Sequence, residues 1–241
     1  MGLIELLVAM LLTAILLLGL VHLVTAASSA TLLQDNQAQL LDSARQAEAQ
    51  LRRATGAAGF SPEPWNAAYG GDAIAPGSAD SVTPHSDRLV VRGWSDLNCF
   101  DNRNPDTDTN GKPRFYIRES TYERNGSSHL ARSCRYGPSD SELVTQIRRQ
   151  GLVPGTESFQ LLFGEDSDQD GNIDRWVRAG QWSAEDRVLG IRVGLLLAGP
   201  DRVADSREQP FDILDTSRTR GSDGRLRTVL ELSLAIRGRS G

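Results

Sequence analysis

The stretch that decides the fold is residues 1–24, which read MGLIELLVAMLLTAILLLGLVHLV. Over residues 6–34 no side chain carries a formal charge. An α-helix needs about 20 apolar residues to cross the hydrocarbon core of a bilayer. A cleaved signal peptide is the alternative, but it would have a basic start and an apolar run of only about 7–15 residues. This run is longer and no Lys or Arg precedes it, so it predicts a retained membrane anchor.

Glu5 lies at the edge of the apolar run and is the only acidic residue before Asp35. A carboxylate at membrane depth costs on the order of 2.5–3.5 kcal/mol on insertion scales, and such a residue is a functional candidate by default. The alternative is that Glu5 lies at the water interface, where that cost does not arise. The residues alone leave both interpretations open.

Helical periodicity continues beyond the anchor. No proline occurs before Pro62, and Gly56 and Gly59 provide a stop. We therefore predict one helix over about residues 3–54, roughly 75–80 Å long, with a transmembrane half in residues 1–27 and an amphipathic half in residues 28–56. A separate anchor and coiled-coil stalk is the alternative, for which one amphipathic stretch is short. The apolar positions recur at three- and four-residue steps: Leu33, Leu40, Leu41, Ala44, Ala47, Leu51 and Ala54.

Residues 57–241 are predicted to form a globular head. Short β-favouring runs lie between turns rich in Gly, Pro, Ser, Asp and Asn, and they predict antiparallel strands. The polar stretch 199–224 predicts a surface loop. The fold class is therefore α+β, with an antiparallel sheet packed on the second half of the long helix. The predicted strands are 88–93, 114–122, 158–163, 173–177, 188–197 and 228–236.

The two cysteines, Cys99 and Cys134, both follow the anchor. Neither a CxxC spacing nor a His cluster accompanies them, which argues against a zinc site. In an exported domain the oxidising compartment favours a disulfide. Two buried thiols are the alternative.

Charge and motif content exclude two broad function classes. The net charge is -5 and Lys112 is the only lysine, whereas nucleic-acid binding draws its affinity from clustered basic residues. No nucleic acid is expected as a partner. The sequence contains no GxSxG, P-loop or HExxH motif, and His85 and His129 are isolated, so no catalytic site is predicted.

One loop is a candidate calcium site. Its pattern is D-x-D-x-D-G-x-x-D, in which successive carboxylates can converge on a hard cation while Gly171 permits the turn. The twelfth position, where an EF-hand has glutamate, is Val177. A metal-free turn is the alternative, because Asp, Asn and Gly favour turns. The candidate ligands are Asp166, Asp168, Asp170, the backbone carbonyl of Asn172, and Asp174.

Residues 3–9, LIELLVA, resemble the core of the class III signal of type IV pilins. In that family a prepilin peptidase removes a short basic leader and the new amino terminus is N-methylated. The resemblance implies that Met1 begins the mature chain and is the methylated residue. Met1 stands where many pilins have phenylalanine, and Gly2 where Thr or Ser is usual. The resemblance further implies a pilin fold in which Glu5 neutralises the terminal ammonium of Met1, in its own chain or in a neighbouring subunit, and so docks the subunit.

Later motifs resemble the PilW group of minor pilins. They are DRLVV at 87–91, the two cysteines, GTESFQLLFGEDSDQDGNIDRW at 155–176, RVLGIRVGLLL at 187–197 and TVLELSLAIRGR at 228–239. In that group a Val-Glu-x-Leu-Gln strand runs into a Tyr-Gly-x-Asp turn; here Phe163 replaces the tyrosine. The final LRN of many members is Ile236, Arg237 and Gly238 here. Together the resemblances cover most of the chain apart from about residues 61–87 and the late polar stretch.

The resemblance implies a non-catalytic minor pilin, anchored in the bacterial inner membrane with its head in the periplasm. It would join other minor pilins and the major pilin in a complex that primes or tips a type IV pilus. The inner-membrane assembly platform, the prepilin peptidase and membrane lipid are the further expected partners. A minor pseudopilin of a type II secretion system is the nearest alternative, and a signal-anchored periplasmic enzyme is the alternative from another class.

Overall fold

A single long helix, α1, extends over Leu3–Ala57. The computed structural model describes residues 2–83, 86–204, 207–220 and 222–236. The helix follows extended Gly2 and ends at Ala58, whose backbone N–H donates to the carbonyl of Thr55. Gly59 then has a φ of 73°, the left-handed conformation that commonly ends a helix. The prediction of one unbroken helix is confirmed.

Eleven strands follow the helix in the described parts of the chain. Three short 3-10 turns lie between them, at Ala67–Tyr69, Asp140–Glu142 and Glu185–Arg187. The strands are β1 (Ala79–Thr83), β2 (Ser86–Ser95), β3 (Tyr116–Arg124), β4 (His129–Gly137), β5 (Val144–Pro154), β6 (Thr156–Glu165), β7 (Arg175–Val177), β8 (Val188–Arg202), β9 (Gln209–Ile213), β10 (Thr216–Arg220) and β11 (Arg225–Ala235).

Nine of these strands form one sheet in the order β11-β8-β6-β2-β3-β4-β5, with β1 beside β2 and β7 beside β6. Within each half of the sheet every pairing is antiparallel, as predicted. The halves meet at β2 and β6, which run parallel, with Ser86 opposite Phe159. The architecture is therefore the predicted helix packed on a sheet. The sheet is mixed rather than wholly antiparallel, because the β2–β6 pair is parallel.

Side chains replace part of the backbone ladder at the β2–β6 seam. The Ser86 Oγ accepts the backbone N–H of Phe159 at 3.1 Å, and the Asp87 Oδ2 accepts that of Leu161 at 2.8 Å. The other Asp87 oxygen accepts the N–H of Ser81 at 2.9 Å. Burial raises the pKa of Asp87 to about 6, with the nearby Asp80 carboxylate acting in the same direction. A buried carboxyl group thus joins the two halves of the sheet.

The main core lies between the sheet and the second half of α1. Leu40, Ala47 and Leu51 face this core and are almost fully buried. Phe159 of β6 and Leu195 of β8 are also among its fully buried side chains. Each such large apolar side chain contributes about 1.5–3 kcal/mol on burial, so this contact holds the helix on the head.

The buried stripe of α1 is narrower than its sequence pattern predicts. Leu41 is 57% exposed and Leu33 is 36% exposed, although both belong to the predicted stripe. The buried positions are instead Asn36, Leu40, Ala47, Leu51 and Thr55. Their spacing of four, seven, four and four residues follows one face, because an α-helix turns once in 3.6 residues.

Arginine–glutamate pairs cross the strands of the β2–β5 half. Glu119 is nearly buried and accepts from Arg92 at 2.8 Å and from Arg135 at 2.6 Å. Glu123, equally buried, accepts from Arg149 at 2.7 Å. Each glutamate on β3 is thus paired with an arginine on an adjacent strand or on the strand beyond it. These ion pairs offset the free-energy cost of burying a carboxylate.

The polar stretch 199–224 contains more structure than a surface loop. Strands β9 and β10 form an antiparallel hairpin within it, with Thr216 opposite Ile213. Ile213 is fully buried, and its Cγ2 lies 2.5 Å from where a Cβ on Gly194 would be. The prediction of a plain loop was therefore wrong here. The hairpin packs on β8 through the buried side chain of Ile213, which lies beside Gly194.

Candidate functional site

The first half of α1 is an exposed apolar surface. Every side chain over residues 2–35 is exposed, including Leu3 at 80%. The most apolar window has a mean hydropathy of 2.7, and by length and composition the helix can cross a membrane. An apolar surface this large marks contact with lipid or with another protein. This half of the helix is therefore the main candidate for docking.

Glu5 lies in the first turn of this surface. Its Oε2 accepts the backbone N–H of Gly2 at 2.9 Å, which satisfies one of the amides that a helix start leaves unpaired. A carboxylate here is also favoured by the positive end of the helix dipole. Met1, predicted to pair with Glu5 and to be N-methylated, lies outside the described residues. The structure thus places Glu5 at the free end of the helix, oriented toward its amino terminus.

Asn36 marks the point where the head begins to hold the helix. Its amide Nδ2 donates to the Asp201 carboxylate at 3.1 Å, and its Oδ1 accepts the backbone N–H of Asp201 at 3.1 Å. Gly199 is required beside it, since a Cβ there would lie 2.7 Å from the Asn36 Oδ1. Sequence reasoning missed this residue, although it stands four positions before Leu40, in register with the buried stripe.

The acidic loop between β6 and β7 brings together three of the predicted calcium ligands. Carboxylate oxygens of Asp166, Asp168 and Asp174 lie within 4.8 Å of one another. Asp170 is not part of this group. Its carboxylate instead accepts the backbone N–H of Asn172 at 2.8 Å and its side-chain amide at 3.1 Å. No contact of the Asn172 backbone carbonyl with this group is described. The calcium site therefore stays a prediction.

The same loop has a metal-free set of hydrogen bonds. The Asp166 Oδ2 accepts the N–H of Gly171 at 2.9 Å, and the Asp174 Oδ2 accepts the N–H of Ser167 at 2.6 Å. Gly171 has a φ of 88°, which explains the glycine at this turn. These bonds hold the loop in its present shape.

Cys99 and Cys134 form a disulfide with a Cα–Cα distance of 5.9 Å. Both cysteines are buried and pack with Ile147 in a small cluster apart from the main core, with Tyr136 against it. The bond ties the loop after β2 to β4. The predicted pairing is present.

The predicted site residues therefore lie on three separate elements. Glu5 is at the start of α1, the disulfide joins a loop to β4, and the acidic loop connects β6 to β7. The structure does not bring them into one pocket.

Comparisons with known proteins identify a family and a fold. The family model described as type IV pilus-assembly protein W matches residues 106–238. Among solved structures, a type IV-like pilin from Thermus thermophilus superposes with a TM-score of 0.57 at 16% sequence identity, over 84% of this chain and 97% of that one. A search of curated proteins gave no match. The structural likeness concerns the fold alone.

Proposed function

The chain belongs to the type IV pilus-assembly protein W family, and we propose that it acts as a minor pilin that helps to initiate a type IV pilus. In this proposal it is incorporated in the pilus as part of a priming or tip complex of minor pilins. The family and the pilin-like fold are those of a structural subunit rather than an enzyme.

The observation that carries the proposal is the division of α1 into two unlike halves. Residues 2–35 are exposed, and nearly all of the first thirty are uncharged, whereas the later half is held on the sheet from Asn36 onward. An apolar rod of this kind is stable in lipid before assembly. It is equally suited to a filament core, because neighbouring helices can replace the lipid. We place the transmembrane half at residues 1–27, the amphipathic half at 28–56 and the head at 57–241.

Glu5 is the residue we assign to subunit docking. In the absence of a neighbour its described hydrogen bond is to Gly2 of its own chain. In the filament its carboxylate would pair with a terminal ammonium, that of its own Met1 or that of an adjacent subunit. Removing one member of a buried ion pair costs about 3–5 kcal/mol, enough to decide whether a subunit docks.

The proposed location is the bacterial inner membrane, with the head in the periplasm until assembly. The Cys99–Cys134 disulfide supports a head in an oxidising compartment. Before assembly a prepilin peptidase would cut the leader, and Met1 would be methylated. The proposed partners are then other minor pilins, the major pilin, membrane lipid and the inner-membrane assembly platform.

A minor pseudopilin of a type II secretion system would use the same anchor and the same glutamate. The match to the pilus-assembly family over residues 106–238 favours the pilus. A signal-anchored periplasmic enzyme would require convergent polar groups at a pocket and activity of the purified protein.

A deletion strain tests the proposal against the secretion alternative. We expect surface pili, counted by electron microscopy and by sheared-pilus yield, to fall sharply while type II secreted proteins reach the medium at the wild-type level. Complementation with the full chain should restore pili. Normal piliation with lost secretion would overturn the pilus proposal and favour the pseudopilin.

A further inference from the structure

A cavity of about 460 Å³ opens where the end of α1 meets strands β2, β3 and β4. Its volume falls in the range of small-ligand sites, roughly 300–1,000 Å³. Aromatic rings form part of its wall: Phe60 and Phe115 have ring centroids 6.2 Å apart, and Tyr122 lines the side of β3. None of the residues assigned above to docking, disulfide or calcium lines this cavity.

Arginines from three different elements line the cavity: Arg53 of α1, Arg118 of β3 and Arg132 of β4. Arg118 is paired with Asp101 at 2.9 Å. Arg132 is different, because its Nε and Nη2 are buried and donate a hydrogen bond to no partner among the described residues. Burial lowers the pKa of Arg132, and the charges of Arg118 and Arg53 act in the same direction. Arg132 therefore has no ion-pair partner among the described residues, although the charge of Asp101 on the same wall acts against the lowering of its pKa.

The two unpartnered nitrogens of Arg132 lie on one edge of its guanidinium group. That edge binds a carboxylate through two parallel N–H···O bonds. The protein uses the same edge elsewhere: Arg227 Nε and Nη2 donate to the two carboxylate oxygens of Glu157, each at 2.9 Å. Arg132 has the same edge, and neither of its nitrogens has a hydrogen-bond partner among the described residues.

We propose that this cavity binds a carboxylate carried on an apolar or aromatic framework, with the guanidinium group of Arg132 turning to hold the carboxylate through Nε and Nη2. Arg53, which is exposed at the helix end, adds positive charge. Phe60 and Tyr122 contact the framework. Binding is favoured because a buried donor without a partner costs free energy that a carboxylate would recover. The carboxylate is either free or carried by an acidic side chain of an adjacent subunit, since the recognition chemistry is the same for both sources.

Ligand-observed ¹⁹F NMR on the full chain in detergent micelles tests the site. The probe is 4-fluorobenzoate, and the neutral 4-fluorobenzamide controls for partition into micelles and for purely apolar binding. We expect saturable binding of the benzoate and not of the benzamide. Arg132→Gln should weaken benzoate binding about tenfold or more. Arg148→Gln, on the exposed surface of β5, should bind like wild type.

A second variant keeps the test valid if Arg132→Gln does not fold. Arg53 is exposed, so Arg53→Gln should keep the fold and weaken benzoate binding severalfold. Equal binding of benzoate and benzamide, or wild-type binding by both variants, would overturn the proposal. This measurement on purified protein does not depend on the pilus function. Recovery of Arg132→Gln in sheared pili then identifies the source: loss indicates an adjacent subunit's side chain, and normal recovery indicates a free carboxylate.

Discussion

Asn36 of the long helix and Asp201 at the end of β8 hold each other by two hydrogen bonds of 3.1 Å, one to the carboxylate and one from the backbone N–H. Asn36 is completely buried, whereas the preceding residues of the helix are exposed. This pair sets the level at which the helix leaves the head and becomes the apolar rod proposed for membrane and filament.

Replacing Asn36 should loosen this junction. Asn36→Leu leaves the Asp201 N–H and carboxylate without their partner, so we expect the free energy of unfolding to fall by about 1–3 kcal/mol. Urea unfolding followed by tryptophan fluorescence measures it. Gln39→Leu, at an exposed position of the same helix, is the matched control and should change little. Equal effects of the two variants would contradict a specific role for Asn36.

Removing the disulfide should lower stability more than a surface substitution does. The bond closes a loop with a sequence separation of 35 residues, for which loop-closure entropy gives roughly 3–4 kcal/mol. The double variant Cys99→Ala, Cys134→Ala should therefore unfold at a clearly lower urea concentration. Wild-type protein treated with reductant should approach the variant, and a variant as stable as oxidised wild type would refute the expected contribution.

Asp87 should make part of the stability depend on pH. Its pKa is raised to about 6 from 3.8, so the folded chain binds this proton more tightly than the unfolded chain does. The resulting stabilisation is full below about pH 4 and is lost as the pH rises to about 6. The advantage of wild type over Asp87→Asn should thus shrink by about 1–3 kcal/mol between pH 4 and pH 7.

The matched control for this pH dependence is Asp212→Asn, on the exposed side of β9. Urea unfolding at several pH values should give it the same profile as wild type. An Asp87→Asn profile parallel to wild type would show that Asp87 does not titrate in this window.

Calcium should stabilise the head if the acidic loop is a cation site. A ligand at 100 times its Kd stabilises a protein by about 2.7 kcal/mol, so calcium should raise the unfolding midpoint and EGTA should reverse the shift. Asp168→Asn removes a carboxylate from the group of three and should abolish the effect. Asp108→Asn, in the separate turn DTDTNG at residues 106–111, should respond like wild type. A midpoint that calcium leaves unchanged in wild type would favour the metal-free turn.

The elements predicted from sequence are those whose pattern is local. The long helix follows from an uncharged apolar run and from the absence of proline before Pro62. Strands β6 and β8 contain the apolar runs LLF and GLLLA, and both were predicted.

Strands β4 and β5 escaped prediction because their stability comes from partners far away in the chain. Each contains two arginines, and neither has a run of more than two large apolar residues. Arg135 of β4 binds Glu119, and Arg149 of β5 binds Glu123. Neither pair is visible as a spacing in the sequence. Alternation of charge alone also fits a loop, so the strands became evident only with the fold.

The candidate sites divide in the same way. The role of Glu5 could be inferred because its neighbours form one contiguous motif. The carboxylate cavity could not, since Arg53, Arg118 and Arg132 converge only after folding. For the acidic loop, spacing correctly suggested that Asp166, Asp168 and Asp174 lie close together. The spacing did not predict that the Asp170 carboxylate would instead accept hydrogen bonds from Asn172.

The most direct measurement is the recovery of Glu5→Ala in sheared pili, by immunoblot, with its membrane level matched to wild type. We predict normal membrane level but strongly reduced recovery, with pilus yield falling toward that of the deletion, because the docking carboxylate is gone while the anchor remains. Glu48→Ala, at a half-exposed position later in the same helix where only a pair with Arg52 is lost, should behave like wild type. Wild-type recovery and pilus yield for Glu5→Ala would contradict the assignment of Glu5 to docking and the assembly function built on it.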